Sequence, residues 1–472
     1  GGIPVEFSRW NRFCDMMITV MKMRKKTEKQ IRTCQVRCEL MDSGGKGVVS
    51  VEGKRWAIED LLVGEQAQIQ YEVCGNQVRI QEVWRTSDSA DRTEPRCHLS
   101  RRCGGCQLQH MQYQAQLRWK QQQVQRLMGR WGTVQPICGM EDPWHYRNKV
   151  IASLAYNKKG KIVAGIYEEE SHRVVGYSFC MIQDPRAAAI LHSLCQIMEE
   201  LKLEPYQEDK RRGLIRHCLI RLGQHSGQIL VCLVTASAIF PARRQLVERL
   251  RQRHPEITTL VMNVNSRSTS VVLGQQERVL WGKGTITDRC CGLDFTLSAR
   301  SFYQVNSAQT EVLYRQALRM AGLNGKQRVL DAYCGIGTIG LIAASKAKEV
   351  IGVEVNAAAV NNAITNARSN RIRNAFFLHQ DAGQFMEQAA REHQHFDVVL
   401  MDPPRSGADD RFLNSLVRLN PQRIVYISCN PFTQAQDVKK LVEKGYGVRE
   451  MVPVDMFPMT VHTELICLLV RE

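Results

Sequence analysis

From about Ser301 to the C-terminus the chain alternates short apolar runs with amphipathic stretches, and this rhythm constrains the fold more than any other feature. The runs are RVLDAY, EVIGVEV, AFFLHQD, FDVVLMD, RIVYISC and LICLLV, with helical patterns between them. Strands that alternate with helices predict a doubly wound α/β sheet, mostly parallel. Ligands of such sheets bind along the carboxyl edge of the strands. Residues at those strand ends are therefore the first place to look for chemistry.

The first run leads directly into DAYCGIGTIGL, which sets Gly335, Gly337 and Gly340 at the mouth of a helix. Glycines there let the turn close and let backbone approach a ligand. Glu354 ends the next strand, where a carboxylate can accept ribose hydroxyls. Taken alone, the glycines also fit a dinucleotide binder or a plain tight turn. Two acids tilt the choice. Asp331 ends the first strand, and Asp402 ends the fourth in the sequence DPPR. Carboxylates in those places favour a cationic ligand and oppose a pyrophosphate, which points to S-adenosylmethionine. Asp381, after the third strand, is placed for the adenine or is an exposed loop acid.

The fifth strand ends in SCNP, putting the Cys429 thiol at the same edge. A buried cysteine is usually an inert small hydrophobe, but a strand-end thiol beside a methyl donor has chemistry available to it. Pyrimidine C5 is a poor nucleophile until a thiolate adds to C6 and turns the ring into an enolate. Methyl transfer to C5, loss of the C5 proton and departure of the thiolate then complete a covalent cycle. Glu464, in PMTVHTE at the start of the last strand, is the candidate base, and His462 orients or packs. Amino-methylating enzymes of this architecture place an aromatic after the two prolines and need no thiol. Here Arg405 follows them and a cysteine is present, so carbon methylation is the better reading.

Ahead of this region the chain changes character. Residues 1–27 begin without Met and read as a leader, a cloning remnant or an over-extended start. Period-2 runs punctuated by Gly over 28–84 predict a small β-barrel, and 85–300 a second α/β unit that opens on a polar linker. Within it, Cys97, Cys103 and Cys106 share a Gly-rich loop, a pattern that packing does not require and that suits a metal or cluster site. Cys180 in SFCMIQD is the best candidate for a fourth thiolate; structural zinc competes with a fully ligated, non-radical iron–sulfur cluster. The 17 cysteines are odd in number and scattered, which excludes a disulfide framework and suits a reduced, cytoplasmic compartment. Lys plus Arg number 64 against 47 Asp plus Glu, a formal charge of +17 that attracts phosphate backbones. No run approaches the roughly 18 apolar residues of a membrane helix, and no segment marks an obligate protein partner.

These motifs, in this order and at these separations, resemble those of the bacterial RNA uracil-C5 methyltransferases, specifically the 23S rRNA branch. The resemblance runs from about residue 30 to the C-terminus and is densest in RTEPRCHLSRRCGGCQLQHMQYQAQL, SHRVVGYSFCMIQD, SFYQVN, DAYCGIGTIGL, DPPRSG, SCNPFT and PVDMFPMTVHTE. It implies an N-terminal TRAM barrel that binds RNA (28–84), a central domain holding a 4Fe-4S cluster (85–300) and a Rossmann-like class I methyltransferase domain (301–472). It also implies Cys97, Cys103, Cys106 and Cys180 as cluster ligands, Cys429 as nucleophile and Glu464 as proton acceptor. Gln304, Tyr333, Glu354 and Asp402 become methyl-donor contacts. The tRNA-specific relatives are expected to lack barrel and cluster, so 23S rRNA is the implied substrate. The sequence LVGEQ departs from the proline-containing LPGE turn of the family's barrel. Two other classes compete: a redox-sensing RNA-binding protein, which has no need of Cys429 together with Glu464, and a nicotinamide enzyme, which has no need of DPPR and SCNP.

Overall fold

A computed structural model of the chain describes residues 30–74, 77–168, 171, 173–268 and 271–472. The expected leader, 1–27, lies outside them, as do the first two residues of the expected barrel. The chain divides into two compact units, 1–92 and 93–472.

The first unit contains β1 (Gln30–Arg37), β2 (Leu40–Met41), β3 (Gly47–Val51), β4 (Lys54–Ile58), β5 (Gln66–Cys74) and β6 (Gln77–Arg85). They form two antiparallel sheets, ordered β1-β5-β6 and β2-β3-β4. Side chains alternate across a strand, so Ala67, Ile69 and Tyr71 of β5 turn inward onto Val36, Val49 and Ile58. Glu65 is fully buried and accepts hydrogen bonds from the Leu62 and Ser89 amides and from Arg92. The result is a small antiparallel β domain whose trailing segment is tied back to it.

The second unit opens with α1 (Tyr113–Met128). A mixed sheet follows, made of β7 (Lys149–Tyr156), β8 (Ile162–Tyr167), β9 (Val174–Gly176), β10 (Ile215–Leu222), β11 (Ile229–Thr235), β12 (Ile257–Val264) and β13 (Gln276–Trp281). Its order is β13-β12-β11-β10-β7-β8-β9. The helix α2 (Pro185–Glu200) starts on an Asp184 cap, and α3 (Arg243–Arg253) carries the crossover between the parallel pair β11 and β12. A hairpin, β14 (Ile286–Cys290) and β15 (Leu293–Leu297), buries Ile286, Phe295 and Leu297 in the core that also holds Val329 and Val350.

The last stretch is the predicted doubly wound sheet. In chain order it runs α4 (Ser307–Ala321), β16 (Arg328–Ala332), α5 (Thr338–Ala344), β17 (Glu349–Glu354), α6 (Ala357–Ser369), β18 (Ala375–His379) and α7 (Ala382–Arg391). It continues with β19 (Val398–Met401), α8 (Asp410–Leu419), β20 (Arg423–Ser428), α9 (Pro431–Glu443), β21 (Tyr446–Val454) and β22 (Glu464–Arg471). The order is β18-β17-β16-β19-β20-β22-β21, parallel as far as β20, with β22 inserted antiparallel between β20 and β21. Successive residues face two different cores: Val329, Leu400 and Val425 on one side, Leu330, Val399 and Ile424 on the other. That double burial explains why the runs read as continuously apolar. The strand order reverses between β16 and β19, which puts the ligand crevice at their carboxyl ends.

Candidate active site

The turn after β16 is held in left-handed backbone at Tyr333, Gly335 and Gly337 (φ 65°, 55° and 80°). Gly340 serves a different need: a Cβ there would lie 2.5 Å from Asp331 Oδ2. Its absence lets α5 close onto the strand end. Glu354 caps the same turn, accepting from the Gly335 amide at 3.0 Å and the Asn356 amide at 2.8 Å.

Three carboxyls crowd this edge. Burial pushes Asp331 up to about 8, with Asp402 and Glu354 adding to it. Burial likewise pushes Asp402 up to about 7. Glu464 is held well above the usual carboxylate range by burial first and by Asp402 second, against the pull of Arg405. Asp331 Oδ2 and Glu464 Oε2 are buried with no hydrogen-bond partner. Orphaned buried carboxylate oxygens are costly unless a cation arrives, so this edge fits a cationic ligand such as a sulfonium and is hostile to a pyrophosphate.

The antiparallel register then supplies the chemistry. Ser428 of β20 pairs with Leu465 of β22, which brings the next residues, Cys429 and Glu464, together at the end of that pairing, near enough for the Glu464 charge to act on the thiol. Asn430 caps α9, accepting from the Phe432 amide, which leaves Cys429 between the end of the strand and the start of the helix. Burial and then the Glu464 charge raise the Cys429 thiol; Arg405 opposes them. Arg405 is fixed beside the thiol because its carbonyl accepts from both Asn430 Nδ2 and Thr433 Oγ1, each at 3.0 Å. Arg405 belongs to DPPR and its hydrogen-bond partners to SCNPFT, so the contact that joins the two motifs is visible only in the fold. His462 packs edge-on against Phe457, and burial lowers its basicity, with Arg405 adding to the effect.

Not every expected contact sits equally well. Gln304 is buried in the loop before α4, where its carbonyl accepts from Asn148. Tyr333 lies in the glycine turn, its ring 5.3 Å from that of Phe412. Asp381 has a capping job: one of its oxygens accepts from both the Gln384 amide and Arg411.

Cys97, Cys103, Cys106 and Cys180 line one cavity of about 180 Å³. Burial raises the Cys103, Cys106 and Cys180 thiols, Cys106 to about 12, and the neighbouring sulfurs contribute to all three. A tetrahedral zinc holds its thiolates about 3.8 Å apart. Among the described residues, no three of these sulfurs lie within 4.8 Å of one another. The donor set and the spacing fit a group larger than one ion.

The two sites meet through a segment that periodicity does not reveal. The Met459 carbonyl accepts from the Gln107 and Leu108 amides, both at 3.0 Å, while its own amide donates to Gln116 Oε1 at 3.1 Å. Tyr146, Ile182 and Met459 pack with Cys106 and Cys180. Below them Lys120 pairs with Asp455 at 2.5 Å, both side chains fully buried, and Tyr113 donates to the same carboxylate. The cysteine loop thereby holds the segment that leads into Glu464.

The strand order, glycine turn and acidic edge define a class I S-adenosylmethionine-dependent methyltransferase fold. The tRNA (uracil-5-)-methyltransferase family profile matches residues 112–472. The chain is 40% identical over 441 residues to an uncharacterized RNA methyltransferase of Halalkalibacterium halodurans, covering 92% of this chain and 96% of the relative. It is 39% identical over 462 residues to one of Staphylococcus epidermidis, covering 97% and 99%. The crystal structure of the Pyrococcus abyssi tRNA (uracil-54, C5)-methyltransferase with S-adenosyl-L-homocysteine superposes with a TM-score of 0.76 at 26% identity, over 92% of this chain and 99% of that one. The chain belongs to this family of RNA uracil-5 methyltransferases. A tRNA enzyme matches 92% of this chain, more than residues 112–472 can supply, so the N-terminal segments do not by themselves assign ribosomal RNA.

Proposed function

We propose that this protein methylates C5 of uridine in 23S rRNA, with Cys429 as nucleophile and Glu464 as the base that removes the C5 proton. S-adenosylmethionine, held by Gln304, Tyr333, Glu354 and Asp402, would supply an electrophilic methyl carried on a sulfonium; Asp381 would face its adenine. The Cys429 sulfur bonds to C6 and pushes the ring electrons to O4, making C5 nucleophilic. After C5 is methylated, Glu464 takes the C5 proton, the C5–C6 double bond reforms and the thiolate leaves. A carboxylate whose basicity is raised by burial suits that proton transfer, and Arg405 stabilises the thiolate. The observation that carries the reading is the β20–β22 register, which brings Cys429 and Glu464 together at the end of the pairing.

The supporting domains are assigned in the same spirit: residues 28–84 grip RNA as a TRAM-like barrel, 85–300 carry the cysteines, and 301–472 carry out the transfer. Cys97, Cys103, Cys106 and Cys180 would hold a 4Fe-4S cluster as a rigid cross-link; four thiolates leave no iron open for substrate. The support is the shared cavity and the wide sulfur spacing. Anaerobic purification tests it: about four iron per chain are expected, and stoichiometric zinc without iron would refute it.

The Pyrococcus likeness favours a second reading, tRNA as the substrate. Nucleoside mapping of rRNA and tRNA from a deletion strain separates the two. Loss of 5-methyluridine at a 23S site supports the first reading, and loss confined to tRNA replaces it with the second.

A further inference from the structure

Away from the methyl-transfer site, the β14–β15 hairpin turns through Cys291 and Gly292, both in left-handed backbone at φ 48° and 84°. Two-residue turns of this kind prefer Asn-Gly or Gly-Gly, so a cysteine is not there for conformation. The turn brings the Cys290 and Cys291 sulfurs and a Glu311 carboxylate oxygen together, all within 4.8 Å of one another. Glu311 projects from α4 and is fixed on both oxygens. Oε1 accepts from the Cys291 amide at 2.9 Å, and Oε2 pairs with Arg315 at 2.5 Å.

A fourth donor approaches from the β10–β11 turn. His225 Nε2 stands 3.7 Å from Glu311 Oε1. That turn is held by Asp288, which is buried and accepts from the amides of Gln224, His225 and Ser226. Asp288 is thus committed to positioning and is not a ligand.

We propose that Cys290, Cys291, Glu311 and His225 form a zinc site, distinct from the four-cysteine cavity, that clips the hairpin to α4. Two sulfurs, one carboxylate oxygen and one imidazole nitrogen are a zinc donor set. Zinc–sulfur bonds of about 2.3 Å and zinc–oxygen bonds of about 2.0 Å require donors roughly 3.5–3.8 Å apart. The three donors already in place need close by no more than about 1.3 Å to meet that spacing, and His225, 3.7 Å from Glu311 Oε1 but outside that group of three, would turn in as the fourth. Two thiolates and a carboxylate leave the site one charge negative around Zn²⁺, and Arg315 offsets it. The His225 side chain is 48% exposed, which leaves an entry path.

The test uses full-length protein, purified anaerobically under reductant without chelator, loaded with ZnCl₂, desalted and assayed for zinc and iron. About one zinc per chain is expected in the wild type, held at least about tenfold more weakly by Glu311→Gln and by Cys291→Ser, with iron unchanged. Zinc retained by both variants, or lost with Cys180→Ser instead, overturns the site. The wild type provides a reading that does not depend on the variants folding: Zn²⁺ should raise its melting temperature and chelator should reverse the rise. No zinc uptake by fully reduced wild type, or a Cys290–Cys291 disulfide in its place, also overturns it.

Discussion

The proposed mechanism asks Cys429 and Glu464 to hold opposite protonation states in sequence, and Arg405 stands between the two demands. The thiol is raised by burial and by Glu464, and lowered by Arg405. Turnover should therefore rise with pH as Cys429 ionises. Arg405→Met removes the stabilising cation, so the rising limb should move to higher pH; a rate profile that does not move would remove Arg405 from the mechanism. Asp331 and Asp402 provide a second pH test. The unfolded chain ionises both at about pH 4, whereas the folded carboxyls hold their protons to about 8 and about 7. Across that window the folded state binds more protons, so stability falls as pH rises from about 4 to about 8. In protein free of methyl donor, Asp331→Asn should flatten this slope, read from urea midpoints at low and neutral pH. An unchanged slope would count against the buried acid. Gly340→Ala presses a methyl group against Asp331 Oδ2 and should cost about 1–3 kcal/mol of stability.

At the scale of elements, α1 shows where pattern reading stops. Its buried stripe includes Gln116, Lys120 and Val124 at helical spacing, and the first two are polar. A hydrophobicity template passes over them, because their partners, Met459 and Asp455, lie more than three hundred residues away. Lys120→Met leaves Asp455 charged and buried, and should cost about 3–5 kcal/mol by urea denaturation; a loss below about 0.5 kcal/mol would show that the pair is unimportant. The doubly wound sheet, by contrast, was legible because both of its faces are covered and its strands are apolar throughout. The strand-end residues Asp331, Glu354, Asp402 and Cys429 followed from that alone. The meeting of Cys429 and Glu464 was only half legible. Both residues stood out, but their coming together depends on β22 entering antiparallel, a matter of topology and not of local sequence. The loop motif groups Cys97, Cys103 and Cys106 in sequence, but that Cys180 shares their cavity and that the loop is tied to Met459 depend on the fold, since backbone hydrogen bonds leave no trace in residue type.

For the whole molecule, the two compact units and the +17 formal charge set what RNA binding should look like. Among the described residues no helix is long and apolar enough to cross a membrane. Affinity for RNA should fall steeply with salt as counterions compete for the phosphates. On the proposed mechanism the target uridine would leave its stack to reach Cys429. Removing residues 1–84 should weaken RNA binding far more than binding of the methyl donor, measured by fluorescence anisotropy and calorimetry on the same preparation. Equal RNA affinity in the truncated protein would show that the β domain does not grip substrate.

Covalent capture tests the central claim most directly. Substrate RNA carrying 5-fluorouridine has no C5 proton for Glu464 to remove, so with S-adenosylmethionine the cycle should stop with Cys429 still bonded to C6. Intact mass should then show one RNA, plus one methyl group, on the wild-type protein, with the linkage mapped to Cys429 and no adduct in Cys429→Ala. An adduct that persists in Cys429→Ala, or normal methylation of uridine by that variant, would contradict the account.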